Sequence, residues 1–203
     1  MKIFNESMVS MVSPAVLSKR FDRLSKTYYH GTSTHQYASL MSGVNIGKCK
    51  PFTDFGQGFY LTSDFHQASI HAEKRSFKDQ IPIVFVYEVN LVELKKCNGQ
   101  TWVIMDKQWA DFIYRNRSTK NHMLHSYDYV TGGVADGQLE DLIELMDDGI
   151  IDIDIFYENI AKYATYDQLS VHNQLIFDHN IIVLEKVVNA YEKGKEFVDP
   201  AAG

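Results

Sequence analysis

Residues 54–62 read DFGQGFYLT, and residues 28–32, a short way upstream, read YYHGT. In both stretches a run of aromatic and β-branched residues, typical of a β-strand, adjoins glycine. Each run carries one polar ring group, His30 or Tyr60, that an apolar core alone does not require. Because side chains alternate along a strand, Tyr60 is expected to face away from the core side that its two neighbours occupy. We therefore predict that His30 and Tyr60 form two walls of one pocket; the alternative for both is a buried core position.

The composition indicates a single domain. The chain has 203 residues, of which 45% are hydrophobic and 23% charged, which suffices for one substantial core. A formal net charge of −6 argues against a broad basic surface for nucleic acid. Cys49 and Cys97 follow no disulfide or zinc pattern, so two free thiols in a reducing cytoplasm are predicted. No apolar run reaches the ~20 residues of a membrane-spanning helix, and no histidine pair has further ligands at metal-binding spacing, so neither membrane nor metal is expected.

Hydrophobic periodicity predicts helices and strands that alternate without a regular βαβ rhythm, which indicates an α+β domain on an antiparallel or mixed sheet. Strands are predicted at 27–32, 59–62, 81–89, 101–105, 127–131, 174–177 and 181–188, and helices at 14–25, 35–43, 138–148, 154–163 and onward from 65 and from 106. Thr62 or Ser63 is expected to cap the helix from 65, Gly132 and Gly133 to form a sharp turn or bulge, and 178–180 to form a hairpin turn. The predicted organisation is a helical extension over 1–26, a domain over 27–190 and a tail over 191–203.

Four motifs in order resemble the ADP-ribosyltransferase superfamily, and more closely an uncharacterised bacterial branch of it. They are YHG at 29–31, DFGxGFYxT at 54–62, YDxVxGxVAD at 127–136 and a final strand that begins with Gln174. The resemblance spans residues 27–188. It implies a split antiparallel or mixed β-sheet with flanking helices. It also implies a mono-ADP-ribosyltransferase activity, in which the bond between nicotinamide and ribose of NAD is cleaved and ADP-ribose passes to a macromolecule.

The resemblance also assigns roles to residues in the NAD site. His30 is expected to anchor a ribose hydroxyl, Gly31 to offer backbone groups to the nicotinamide amide, and Tyr60 to stack on the nicotinamide ring. Stacking on a tyrosine orients a ligand at little entropic cost, and glycine permits close backbone approach. Thr32 and Gly58 complete the predicted NAD-binding set.

The third position of the family pattern differs in this chain. Enzymes of the superfamily usually carry glutamate there, whereas Gln174 can form hydrogen bonds but cannot act as a base at neutral pH. Asp136 is the preferred candidate to supply the missing charge, followed by Glu73 and Asp178. Alternatively the acceptor is already nucleophilic, water is the acceptor as in an NAD glycohydrolase, or the chain is a catalytically silent nucleotide-binding module.

Charged residues near these motifs have two interpretations each. Arg115 and Arg117 either meet the NAD pyrophosphate or an acceptor, or form a solvated helix end. Lys48 and Asp54 lie either on a lid over the dinucleotide or on an ordinary loop. The acidic balance favours a protein acceptor over nucleic acid. The resemblance further implies a toxin, effector or phage-conflict role, with an antitoxin or inhibitor as a possible partner.

Overall fold

Seven strands and seven α-helices make up the part of the chain that the computed structural model describes, namely residues 24–135, 138–160, 166–192 and 195–198. The strands are β1 (Thr27–Ser33), β2 (Phe59–Leu61), β3 (Pro82–Val89), β4 (Gly99–Thr101), β5 (Tyr129–Gly133), β6 (Asp167–Val171) and β7 (Ile182–Asn189). The helices are α1 (Tyr37–Met41), α2 (Phe65–Arg75), α3 (Leu91–Leu94), α4 (Lys107–Arg117), α5 (Leu139–Asp147), α6 (Ile153–Ile160) and α7 (Leu175–Asp178), with 3-10 turns at Thr34–Gln36 and Ile46–Lys48.

The strands form two sheets. One has the order β1-β3-β7 and is antiparallel throughout, and the other has the order β2-β6-β5-β4 with β4 and β5 parallel. The sheets meet where the Tyr29 N–H donates to the Thr62 carbonyl at 2.8 Å and the Thr62 N–H donates back at 3.0 Å. The predicted α+β class with mixed sheet is confirmed. This junction places the two motif strands, β1 and β2, side by side.

Among the described residues, three apolar clusters form the core and hold the sheets and helices together. The largest joins the two sheets, with Phe85 and Phe59 from one strand of each. A second packs α4, α5 and α6 against β5, with Trp109 fully buried. A third packs the small residues of α2 onto Val84 and Val86 of β3. Because β3 is apolar on both faces and central in its sheet, the prediction of a central strand at 81–89 is confirmed.

Aspartates cap α2 and α4. Asp64 accepts a hydrogen bond from the Gln67 N–H at 3.1 Å, so the expectation of a cap at Thr62 or Ser63 is wrong. Asp106 accepts from the N–H groups of Gln108 and Trp109, each at 3.0 Å. The helix predicted to begin at Asp106 is therefore confirmed.

The strand predicted at 101–105 is wrong, since β4 ends at Thr101 and Ile104 is 63% exposed. Gly132 and Gly133 do not form a turn or bulge; they lie inside β5. A Cβ at Gly132 would come within 2.9 Å of the Trp102 Cβ, so glycine permits this tryptophan to pack against the strand. Close packing therefore explains the glycine at position 132.

The final strand predicted at 174–177 is also wrong. Asn173 Oδ1 accepts from the Leu175 N–H at 3.0 Å and starts the short helix α7, which follows Gln174. The predicted hairpin is absent, because the strand preceding α7 is β6 and the strand following it, β7, belongs to the other sheet. Asn180, with φ of 55°, adopts the left-handed conformation that commonly ends a helix.

Some predictions fall largely outside the described residues. Residues 14–23 of the predicted N-terminal helix lie outside them, and residues 24 and 25 are not helical. The predicted tail over 191–203 lies partly outside them. Within the described ranges, no helix combines the length and the apolar character that crossing a bilayer requires.

Candidate functional site

A cavity of about 820 Å³ lies at the junction of β1 and β2. It is lined by six of the seven residues predicted for the site, His30, Gly31, Thr32, Gly58, Tyr60 and Gln174. The seventh, Asp136, lies outside the described residues. The structure thus brings together the residues of two strands and the glutamine that follows a third.

His30 forms one wall and is held by its ring nitrogen Nδ1. The Nδ1–H donates to the Tyr60 carbonyl at 2.8 Å, and the ring stacks on Phe59 with centroids 4.4 Å apart. Burial lowers the pKa of His30 to about 4, an effect opposed by the bond to Tyr60, so the ring is neutral at pH 7. Its Nε2 then carries a lone pair, and no described residue bonds to it. His30 therefore offers the cavity a neutral hydrogen-bond acceptor.

Tyr60 forms the second wall and is held by its hydroxyl. The hydroxyl accepts from the Phe55 N–H at 2.8 Å and lies 2.8 Å from the Thr53 hydroxyl and 2.9 Å from the Gly56 carbonyl oxygen. Burial raises the pKa of this hydroxyl well above its usual range. The ring also lies against Phe55 at an interplanar angle of 25°. These contacts fix the plane of the ring and leave the hydroxyl engaged with protein.

The two glycines are required by contacts within the protein. A Cβ at Gly31 would overlap the backbone carbonyl of Ala68 in α2, and the Gly31 carbonyl accepts from His71 Nδ1–H at 3.1 Å. A Cβ at Gly58 would come within 2.8 Å of His172 Nδ1 on the segment after β6. Glycine at these positions lets a helix and a neighbouring strand approach the cavity wall.

Gln174 lines the cavity, but its amide is used to hold a loop. Its Nε2 donates to the Val44 carbonyl and to Asp178 Oδ1, and its Oε1 accepts from the Ile46 N–H, all at 3.0 Å. Two residues were the reserve candidates for the missing charge. Asp178 lines the cavity and accepts a hydrogen bond from Gln174, whereas Glu73 lies on the exposed side of α2. Gln174 thus connects residues 44–46, on the loop that leads to Lys48 and Asp54, to α7.

Gln168 is the polar residue that sequence reasoning missed. It lies on β6, next to β2, and its Nε2 donates to Asp54 Oδ2 at 2.7 Å and to the Gly133 carbonyl at 3.2 Å. It also lines the cavity. The sequence pattern that could have revealed this strand is the alternation of Gln168 and Ser170 with Leu169 and Val171. A strand-borne glutamine is therefore present in the site, six positions before the predicted one.

The buried Asp54 forms an ion pair with the half-buried Arg117 beside Gln168. Both Nε and Nη2 of Arg117 lie 2.6 Å from Asp54 Oδ1, and Asp54 is 4% exposed. Asp54 Oδ2 also accepts from the Ala135 N–H at 3.2 Å. Arg115, by contrast, pairs with Asp111 at the exposed helix surface. Of the two arginines proposed for the site, only Arg117 lines the cavity among the described residues.

The rim of the cavity carries positive charge. Lys48, Lys50 and Arg75 line it, and none of them forms an ion pair within the described residues. Arg75 is oriented by its Nε–H, which donates to His71 Nε2 at 3.4 Å. In a chain with a net charge of −6, this rim favours an anionic ligand such as a phosphate. No three His, Cys, Asp or Glu side chains of the described part gather as a metal site would require.

Comparison with known protein families identifies a match over most of the chain. The model of a family described as protein of unknown function, DUF3990, matches residues 27–181. A search of the curated proteins found no match to the chain. The matched range contains β1 to α7 and every described residue named above as lining the cavity.

Proposed function

The chain belongs to the DUF3990 family of unknown function, and we propose from its cavity that it binds NAD and cleaves the bond between nicotinamide and ribose. The ADP-ribose is transferred to a macromolecular acceptor, as in the ADP-ribosyltransferases that its motifs resemble. The observation that carries this proposal is the convergence of His30, Tyr60 and Gln168, from three strands, on one cavity. We also infer that the two sheets joined at Tyr29 and Thr62 correspond to the split sheet of that superfamily.

Each wall of the cavity suits a different part of NAD. The neutral His30 Nε2 accepts a hydrogen bond from a ribose hydroxyl, and the fixed Tyr60 ring packs against the flat nicotinamide. The cations Lys48, Lys50 and Arg75 suit the pyrophosphate. Holding the ribose and the departing ring in fixed positions favours the transition state over the free substrate.

The wider biological proposal follows from the resemblance and from the charge. A protein acceptor is favoured over nucleic acid because the chain is acidic overall. Cys49 and Cys97 are both free thiols, which fits a reducing cytoplasm. A toxin-like role in bacteria, opposed by an antitoxin or inhibitor, remains part of the same proposal.

A second candidate function is NAD binding without turnover. It is favoured by the state of Asp54, a carboxylate that lines the cavity, since both of its oxygens already accept hydrogen bonds from protein. With glutamine at both 168 and 174, no described strand supplies a free carboxylate to the cavity. Such a protein would hold NAD and release no nicotinamide.

The test is incubation of the purified protein with NAD, with binding measured by calorimetry and free nicotinamide by chromatography. We expect binding and release, both reduced at least tenfold in His30→Ala and unchanged in His66→Ala, a matched control at an exposed position outside the cavity. Binding without release under every acceptor condition would establish the second candidate. Release of free ADP-ribose in equal amount would identify an NAD glycohydrolase. Absence of NAD binding would refute both proposals.

A further inference from the structure

We propose that Asp54 is a positioning residue, which holds the Gln168 amide so that its oxygen faces the cavity and accepts a ligand hydroxyl. The inference rests on the proposed function for the identity of the ligand, a ribose of NAD. It rests on the structure alone for the orientation of the amide. It assigns Asp54, on the loop before β2, a role different from the lid or ordinary loop that its sequence position suggested.

The orientation of the Gln168 amide follows from its neighbours. Nε2 faces two acceptors, Asp54 Oδ2 at 2.7 Å and the Gly133 carbonyl at 3.2 Å. A flipped amide would place Oε1 against two oxygens and lose both bonds, one of them to a carboxylate. Gln168 is 7% exposed, so the side chain is confined to this place. Oε1 is therefore directed away from Asp54 and Gly133.

The amide oxygen remains available to a ligand. No described residue donates a hydrogen bond to Oε1. The atom is not fully buried either, so solvent or a ligand can reach it. The part of Gln168 that solvent reaches borders the cavity. An uncharged oxygen acceptor in this place matches the donor capacity of a ribose hydroxyl.

Asp54 can hold the amide because its own charge is compensated. Arg117 contacts Oδ1 through two nitrogens at 2.6 Å, and the Ala135 N–H contacts Oδ2 at 3.2 Å. A buried carboxylate is tolerated when it is paired and fully hydrogen-bonded. With both oxygens engaged, Asp54 acts on the ligand through Gln168 and is not available as a base.

Asp54→Asn tests the orientation. If asparagine Oδ1 keeps the bond to Arg117, its Nδ2 faces Gln168, and the amide must turn Oε1 toward residue 54 and away from the ligand. We expect NAD affinity to fall about tenfold, the effect of one lost hydrogen bond. Asp79→Asn, at an exposed position outside the cavity, is the matched control.

A reciprocal exchange separates positioning from structural support. Gln168→Glu alone sets two carboxylates against each other and should also lose affinity. In the double variant Asp54→Asn/Gln168→Glu, the asparagine amide donates to one glutamate oxygen and the other faces the cavity. We expect affinity to recover at least threefold over either single variant. Recovery stays incomplete because the Gly133 carbonyl loses its donor.

The amide can also be observed without ligand, which separates this inference from the proposed function. The side-chain ¹⁵N–¹H resonances of Gln168, assigned by their loss in Gln168→Ala, should show one strongly downfield proton that moves in Asp54→Asn and stays in Asp79→Asn. If the wild-type protein does not bind NAD, the proposed function is refuted. The spectrum then still tests the orientation of the Gln168 amide, because it is recorded without ligand. Binding by Asp54→Asn within twofold of wild type, or no spectral change, would overturn the positioning role.

Discussion

Replacing Tyr60 by phenylalanine separates the two roles that the structure gives this side chain. The change keeps the ring that lines the cavity and removes the hydroxyl. That hydroxyl accepts from the Phe55 N–H at 2.8 Å and lies 2.8 Å from Thr53 Oγ1 and 2.9 Å from the Gly56 carbonyl. The substitution therefore perturbs the turn at residues 53–56 and leaves the cavity wall in place.

The expected loss of stability follows from the groups left behind. Phe55 N–H is left without its hydrogen-bond partner, which costs about 1–3 kcal/mol for a buried group. The Thr53 hydroxyl can still donate to the Gly56 carbonyl at 2.6 Å, which limits the loss. In a chain of this size a loss of ~2 kcal/mol lowers Tm by roughly 4–8 °C. Thermal unfolding measures it, with Tyr191→Phe as the control because Tyr191 is 67% exposed.

The effect on ligand binding should differ from the effect on stability. Tyr60→Phe is expected to bind NAD within about threefold of wild type, whereas Tyr60→Ala, which removes the wall, should lose at least tenfold. If Tyr60→Phe abolishes nicotinamide release while Tm is unchanged, the hydroxyl takes part in the chemistry, and a purely structural role for it is refuted. A Tm unchanged in both variants would show that the turn does not depend on Tyr60.

Three further predictions follow from other contacts. Burial lowers the pKa of His30 and of His172 to about 4. Between pH ~6.5 and ~4 the unfolded chain therefore binds protons that the folded chain does not. The free energy of unfolding should decrease by up to ~1.4 kcal/mol for each histidine per unit by which the pH is lowered through this range. Urea unfolding at pH 7, 5.5 and 4.5 should give a smaller decline in His172→Gln, and an equal decline would contradict the assignment. Gly31→Ala should destabilise by ~1–3 kcal/mol, since its Cβ overlaps the Ala68 carbonyl; an unchanged urea midpoint would disprove the close contact. Gln174→Ala should accelerate hydrogen exchange at residues 44–46 with little change in NAD affinity, and the opposite pattern would restore it as a ligand-binding residue.

Local signals explain the part of the fold that the sequence predicted. The aromatic and β-branched run of β1, the apolar run of β3 and the small-residue spacing of α2 each specify one kind of element. The pairing of β1 with β2 then brings His30 and Tyr60 to one cavity, as predicted from their motifs. These predictions succeeded because each depended on few residues that are close in sequence.

A strand was predicted at 174–177 and β6 was missed, because the strand signal of β6 is weaker than that of the neighbouring apolar run. Residues 175–177 are all apolar, and a run of three or four such residues does not distinguish a strand from a buried helix turn. Strand β6 carries the buried polar residues Asp167, Gln168 and Ser170, and the Gln168 amide is buried through specific partners. One such partner, Asp54, lies 114 residues from Gln168, so no local pattern could reveal the contact.

The partners of these polar groups decide which chemistry the cavity can support. His30 Nε2 and Gln168 Oε1 are both uncharged acceptors, and the negative charge of Asp54 is compensated by Arg117. A site of this kind orients hydroxyl groups well but contributes little negative charge to a cationic transition state at the ribose.

In the proposed reaction, NAD binding should therefore be strong relative to nicotinamide release in the absence of an acceptor. An acceptor that brings its own nucleophile, or a carboxylate contributed by Asp136, should raise the rate of release much more than it raises the affinity for NAD. Measuring nicotinamide release with and without host lysate, for wild type and for Asp136→Asn, distinguishes these two sources of the missing charge.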